Sequence, residues 1–76
     1  MQPNPLPDWV QPRRRAIGDR IRAARIHANL TQEALAERAG IDRKTVNRIE
    51  QGANAALIDH LLLIADALGV PLRDLV

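Results

Sequence analysis

An all-α domain of five short helices is what this sequence predicts, and three observations predict it. Apolar residues recur at three- and four-residue steps in each candidate segment. Helix punctuation divides those segments: Asn29 and Thr31, Gly40 and Asp42, Gly52, then Gly69 and Pro71. No stretch alternates polar and apolar residues as a strand does, and no internal repeat occurs. With 76 residues the chain makes one domain with a small core.

Residues 1–12 carry four prolines, which block helix and sheet alike, so they read as a flexible or extended arm. Trp9 and Val10 of that arm could dock on the body or on a partner chain. The domain proper is residues 13–76. Helix 1 is predicted over residues 13–28, with Ile17, Ile21, Ala24 and Ala28 forming its apolar stripe. Asn29 tolerates the left-handed conformation that closes helices. Helix 2 is predicted over residues 32–39. Thr31 is its N-cap, and Glu33 lies near the positive end of its dipole. Ala34 stands where the reciprocal half of a capping box would be. Leu35, Ala36 and Ala39 face inward, and the small Ala36 lets another helix approach.

Gly40 supplies the positive φ that a tight inter-helix turn requires, and Ile41 plugs the turn into the core. Asp42 is read as the cap of helix 3, predicted over residues 43–51, with Val46 and Ile49 inward and Gly52 ending it. Helix 4 is predicted to begin with Asn54 as N-cap and to run to Leu68. Its inner stripe is read as Ile58, Leu61, Leu62, Ala65 and Leu68. Asp59, His60 and Asp66 mark the outer face, with Leu63 exposed between them. Pro71 opens a last short helix, with Leu72 and Leu75 either inward or facing a partner.

Composition removes several function classes. There is no cysteine, so disulfides and Cys-based metal sites are excluded. His27 and His60 lack ligand spacing and read as surface residues, so no metal is expected. Without Phe or Tyr the chain lacks the usual stacking platforms for single-stranded nucleic acid. Its N-terminus does not read as a signal peptide. The longest apolar run beyond the arm, residues 61–65, is too short to span a bilayer. A cytoplasmic protein is the expectation. Nothing pairs a nucleophile with a base or cradles a phosphate, so neither catalysis nor a cofactor is expected.

The net charge of +2 hides an asymmetry. Residues 11–48 hold ten Lys and Arg against four acids, a balance of +6, whereas residues 53–76 hold one Arg against three Asp, a balance of −2. The basic part contains residues 31–52, two short helices joined by a tight turn. The second of these opens with Arg43 and Lys44 and continues through Thr45, Asn47 and Arg48, and it is the size of helix that fits the DNA major groove. Arg can fork onto guanine O6 and N7, Lys can reach the same acceptors, and Asn can pair with adenine N6 and N7. Gln32 sets a side-chain amide beside the free N–H groups of a helix start, a natural phosphate seat. Two cations in the first turn of a helix oppose its dipole, a cost without structural return that points to function. Arg13, Arg14 and Arg15 read either as a solubilising start or as an arm touching phosphates.

In this order and spacing the chain resembles the Cro/C1-type (Xre) helix-turn-helix family. The marks are Arg25, the segment TQEALAERAGI, Val46 and Ile49, Glu50-x-Gly52, and IADALGV at residues 64–70. The resemblance implies a compact five-helix, lambda-repressor-like domain whose third helix enters the major groove. It implies that Gln32 binds a phosphate and braces that helix. Arg43, Lys44 and Arg48 would contact bases or phosphates, and Thr45 and Asn47 the backbone or a base edge. It also implies a partly buried ion pair between Arg25 and Glu50.

The chain departs from the family pattern at Asn29, in place of a common Gly, and at Ala56 and Leu57, in place of Pro and Ser. Leu63 replaces a usual polar residue; with Leu57, Leu72, Leu75 and Val76 it could form an apolar dimer patch. The leading expectation is a homodimeric repressor of double-stranded DNA. The alternative is an antitoxin or other module binding a protein partner through helix 4, the arm or the C-terminus.

Overall fold

The computed structural model describes residues 5–76, and residues 1–4 of the arm lie outside the described residues. Four α-helices follow one another: α1 (Val10–His27), α2 (Gln32–Ala39), α3 (Arg43–Gln51) and α4 (Ile58–Leu68). The fifth predicted helix is a single 3-10 turn over Leu72–Asp74. No strand occurs among the described residues, and no helix there is long and apolar enough to cross a membrane.

α1 begins at Val10, three residues before the predicted start. Pro12 does not prevent this, because it falls in the first turn, where backbone N–H groups have no intrahelical acceptor. The extension also has something to hold. Gln11 Nε2 donates to the carbonyl of Gly52 at 2.8 Å, tying the start of α1 to the end of α3. Trp9 does not dock on the body; it is 66% exposed. At the other end Asn29 adopts φ 59°, as its chemistry predicts. The N–H of Asn29 reaches the Ile26 carbonyl and that of Leu30 the Arg25 carbonyl, at 2.9 and 3.1 Å. This is the paired closure of a Schellman motif. Ala28 falls outside the stripe and is exposed, since the helix has ended.

Thr31 caps α2 as expected, its Oγ1 accepting from the Ala34 N–H at 3.0 Å. Gly40 sits at φ 73°, and the Ile41 N–H turns back to the Ala36 carbonyl at 3.0 Å. Asp42 holds the N-cap position of α3, but its side chain makes no capping hydrogen bond. Its negative charge at the helix start remains favourable for the dipole.

α4 differs most from its prediction. It starts after Leu57, not Asn54, and Asn54 caps nothing. Ile58 and Leu62, assigned inward from the sequence, are exposed, whereas Ile64 is wholly buried. Apolar residues fill most of this helix, so periodicity alone does not choose a face. Packing chooses Leu61, Ile64, Ala65 and Leu68, a stripe at steps of three, one and three.

α1 packs on α3, and α2 packs on both α3 and α4. Ile21, Leu35, Ala36, Val46, Ile49, Ile64, Ala65 and Leu75 form the core between them. Leu75, 1% exposed, closes it from the 3-10 turn. One close approach fixes α1 against α3. Gly18 is buried in mid-helix, and a Cβ there would collide with the backbone carbonyl oxygen of Glu50. A mid-helix Gly costs about 1 kcal/mol against Ala, so its value here is the contact between two backbones. Because the obstructing atoms are backbone, no rotamer change relieves the clash. Gly18→Ala should therefore destabilise the fold by about 1–3 kcal/mol or more, read as a lower urea midpoint. An unchanged or raised midpoint would show that α1 and α3 separate freely.

Candidate nucleic-acid interface

The corner α2–Gly40–α3 presents the outer face of α3 to solvent. Arg43, Lys44 and Arg48 are exposed on it, and Thr45 and Asn47 are half-buried beside them. No acidic residue lies in the first turn of α3. Among the described residues only two ion pairs form, Arg15 with Asp19 and Arg25 with Glu50. Arg43, Lys44 and Arg48 therefore have no carboxylate partner within the described chain.

Beneath this face runs a connected set of polar side chains. Arg25, on α1, donates from Nε to Glu50 Oε2 at 2.7 Å and from Nη2 to Glu50 Oε1 at 3.1 Å. Its Nη1 donates to the Leu30 carbonyl at 2.8 Å. Glu50 is 4% exposed, so its charge is compensated inside the protein and not by water. Gln32, the first residue of α2, places its Nε2 3.2 Å from Glu50 Oε1 and 3.2 Å from Asn47 Oδ1. Gln51 Nε2 reaches the same Asn47 oxygen at 3.5 Å. No buried side-chain nitrogen or oxygen among the described residues lacks a partner.

These bonds refine two assignments made from the sequence. Both protons of the Gln32 amide are committed internally, so the side chain braces α3. What the start of α2 leaves for an anion is the backbone N–H of Gln32 and Glu33, which have no intrahelical acceptor. Asn47 accepts two donors on Oδ1, which leaves Nδ2 as its outward group.

Several further side chains join this surface, of which Asp19, Arg22 and Gln51 were not singled out from the sequence. Arg15, Asp19, Arg22 and Gln51 line one polar groove with Gln32 and Asn47, between α1 and the helix pair. Arg22 lies one turn before Arg25, so helical periodicity could have found it. Arg15 makes an exposed pair with Asp19 at 3.3 Å, which is worth little. His60 of α4 lines a second groove with Thr45, Arg48 and Asn54. Only the docking of α4 brings it there.

The candidate dimer residues separate. Leu57 and Leu63 are exposed, Leu72 packs against the core, and Leu75 is buried within it. Leu75 therefore belongs to the fold of one chain and has no surface to offer a partner.

A two-helix corner with a cation-lined outer helix, braced by a buried ion pair, defines a helix-turn-helix domain. A family model described as helix-turn-helix matches residues 21–75. The chain belongs to the Cro/C1-type (Xre) helix-turn-helix family. It is 38% identical over 56 residues to an uncharacterized transcriptional regulator in the ATPase CF(0) region of Rhodospirillum rubrum. That match covers 74% of this chain but 52% of the relative, so the chain spans about half of that protein.

Solved structures give closer coverage. The restriction-modification controller protein C.AhdI from Aeromonas hydrophila superposes with a TM-score of 0.83 at 32% identity, over 86% of this chain and 98% of that one. The hypothetical transcription factor NHTF from Neisseria gives 0.80 at 31% identity, over 99% and 85%. The clp gene regulator ClgR from Corynebacterium glutamicum gives 0.77 at 26% identity, over 96% and 71%.

The buried pair makes a quantitative prediction. The side chains of Arg25 and Glu50 are 11% and 2% exposed, so removing one partner strands a charge that water cannot reach. Glu50→Leu or Arg25→Met should each cost about 3–5 kcal/mol in chemical denaturation. An apolar double replacement, Arg25→Met with Glu50→Leu, should recover much of that loss. Independent, additive losses in the cycle would refute the coupling.

Proposed function

We propose that this protein is a sequence-specific, double-stranded DNA-binding transcriptional regulator. It acts as a homodimeric repressor that reads a palindromic operator with α3 in the major groove. The observation that carries this reading is the face of α3. Arg43, Lys44 and Arg48 are exposed without a carboxylate partner, two of them in the first turn, where the helix dipole disfavours cations. An anionic ligand supplies the missing compensation, and a rigid helix of nine residues is the right size for the groove.

The polar groove beside α3 fits the same ligand. Arg15, Arg22 and Gln32 line it, and two cations beside the start of α2 suit the phosphates that would flank a helix in the groove. The positive charge of residues 11–48 strengthens attraction to DNA, and the negative charge of residues 53–76 points it away from the far side. The relatives that are regulators of genes or controllers of restriction-modification support the regulatory role.

For dimerisation the supporting feature is α4. Leu57, Ile58, Leu62 and Leu63 are exposed within one short stretch at its start. Burying such residues between two copies would contribute about 1.5–3 kcal/mol for each fully covered side chain. Two recognition helices would then sit about 34 Å apart, one turn of the double helix.

In vitro selection from random duplexes tests the reading, and a palindrome with half-sites one turn apart is the expected result. Arg43→Ala with Arg48→Ala should lower affinity for the selected site by at least about tenfold, measured by fluorescence anisotropy. Affinity should fall linearly on a logarithmic salt axis, with a slope of about −0.9 for each phosphate neutralised. Full affinity in the double variant would sink the assignment of α3. Separately, Leu63→Glu should shift sedimentation from dimer to monomer without altering helix content; an unchanged dimer would place the interface elsewhere.

A further inference from the structure

Both oxygens of Glu50 accept donors from Arg25, so the side chain faces Gln32 as an acceptor. The Gln32 amide, 3.2 Å from Glu50 Oε1, must therefore turn its nitrogen toward it. The opposite orientation would press an amide oxygen against a carboxylate oxygen in a buried place, leaving both unpaired. The same nitrogen lies 3.2 Å from the Asn47 side chain, and its second proton goes there. Asn47 is thereby left one orientation, with Oδ1 turned inward. Gln51 donates to that oxygen as well, at 3.5 Å, so the acceptor side of Asn47 is occupied from two directions.

We infer that Arg25, Glu50 and Gln32 together set the polarity of Asn47, making it a donor-only reader that selects guanine over adenine in the base pair it meets. This rests on the reading of α3 as the major-groove helix. An unconstrained Asn favours adenine, because its oxygen accepts from N6 while its nitrogen donates to N7. Here the oxygen is spent. The two protons of Nδ2 remain, and guanine places two acceptors side by side, O6 and N7. Cytosine offers Nδ2 only another donor, and thymine a single acceptor, O4. A structural ion pair thus reaches the operator through two amides and becomes part of sequence preference.

The experiment is in vitro selection from random duplex DNA with the wild-type chain, Asn47→Ala and Gln32→Met. The position whose preference disappears in Asn47→Ala is the one that Asn47 reads. The expected result is a G·C pair there in the wild type, favoured over A·T by about tenfold. Gln32→Met removes the fixed donor but leaves Arg25 on Glu50, and it should move that position toward A·T relative to the other positions of the site, whatever its effect on overall affinity. An A·T preference in the wild type, or no position that depends on Asn47, overturns the inference. So does an unchanged G·C preference in Gln32→Met.

A second measurement does not depend on that variant. Replacing the contacted guanine by 7-deazaguanine removes one acceptor. It should weaken the wild type several-fold and leave Asn47→Ala unaffected. Equal weakening of both proteins overturns the inference. A wild-type chain that enriches no sequence fails at the earlier step, the reading of α3 itself, and removes this inference with it.

Discussion

The rest of the structure depends on one buried carboxylate. Glu50, at the end of α3, lies where water cannot compensate it, and a lone buried charge is worth several kcal/mol against folding. It is kept by Arg25, which comes from α1 and also holds the Leu30 carbonyl beyond that helix's end. It is kept further by Gln32, which comes from the start of α2. Three helices therefore have to arrive together for one charge to be satisfied. An apolar core alone could hold these helices, but it tolerates small rotations that a forked hydrogen-bonded pair does not.

That geometric demand fits the role proposed for α3. A helix that reads base edges has to present its side chains in a fixed rotation, and α3 has three restraints on its rotation. Val46 and Ile49 bury its inner face. The backbone contact at Gly18 sets its distance from α1. The polar set around Glu50 sets its end and, through Gln32, the side chain of Asn47. The cations at its start oppose the helix dipole, a cost that an anionic ligand would offset, so the proposed reading divides α3 into an inner face that holds it and an outer face that would read.

Much of this was legible in the sequence, and the reason is local. Thr31 as a cap, Gly40 and Asn29 at positive φ, and the inner faces of α2 and α3 follow from chemistry acting within one helical turn. The family resemblance correctly joined Arg25 to Glu50 across twenty-five positions. Where local signals were weak or redundant the prediction drifted. Pro12 suggested that α1 could not begin before it, yet a proline in a first turn costs no hydrogen bond, and Gln11 found an acceptor on another helix. In α4 most residues are apolar, so three polar residues fixed the face only loosely: Leu61, Ala65 and Leu68 were placed inward and Leu63 outward, while Ile64 was missed and Ile58 and Leu62 were misplaced.

The sequence by itself determined the helix-turn-helix corner, its capping and the cations of its outer face, because each depends on residues a turn or less apart. Only the tertiary structure decided which side chains those cations have for neighbours. Arg22 and His60 come to the surface of α3 from α1 and α4, and Leu75 turns into the core instead of toward a partner. It also decided which way two amides point. The orientation of Gln32 and Asn47 has no trace in the order of residues. It arises because a carboxylate on one helix is saturated by a guanidinium from another, and a saturated acceptor admits only donors beside it.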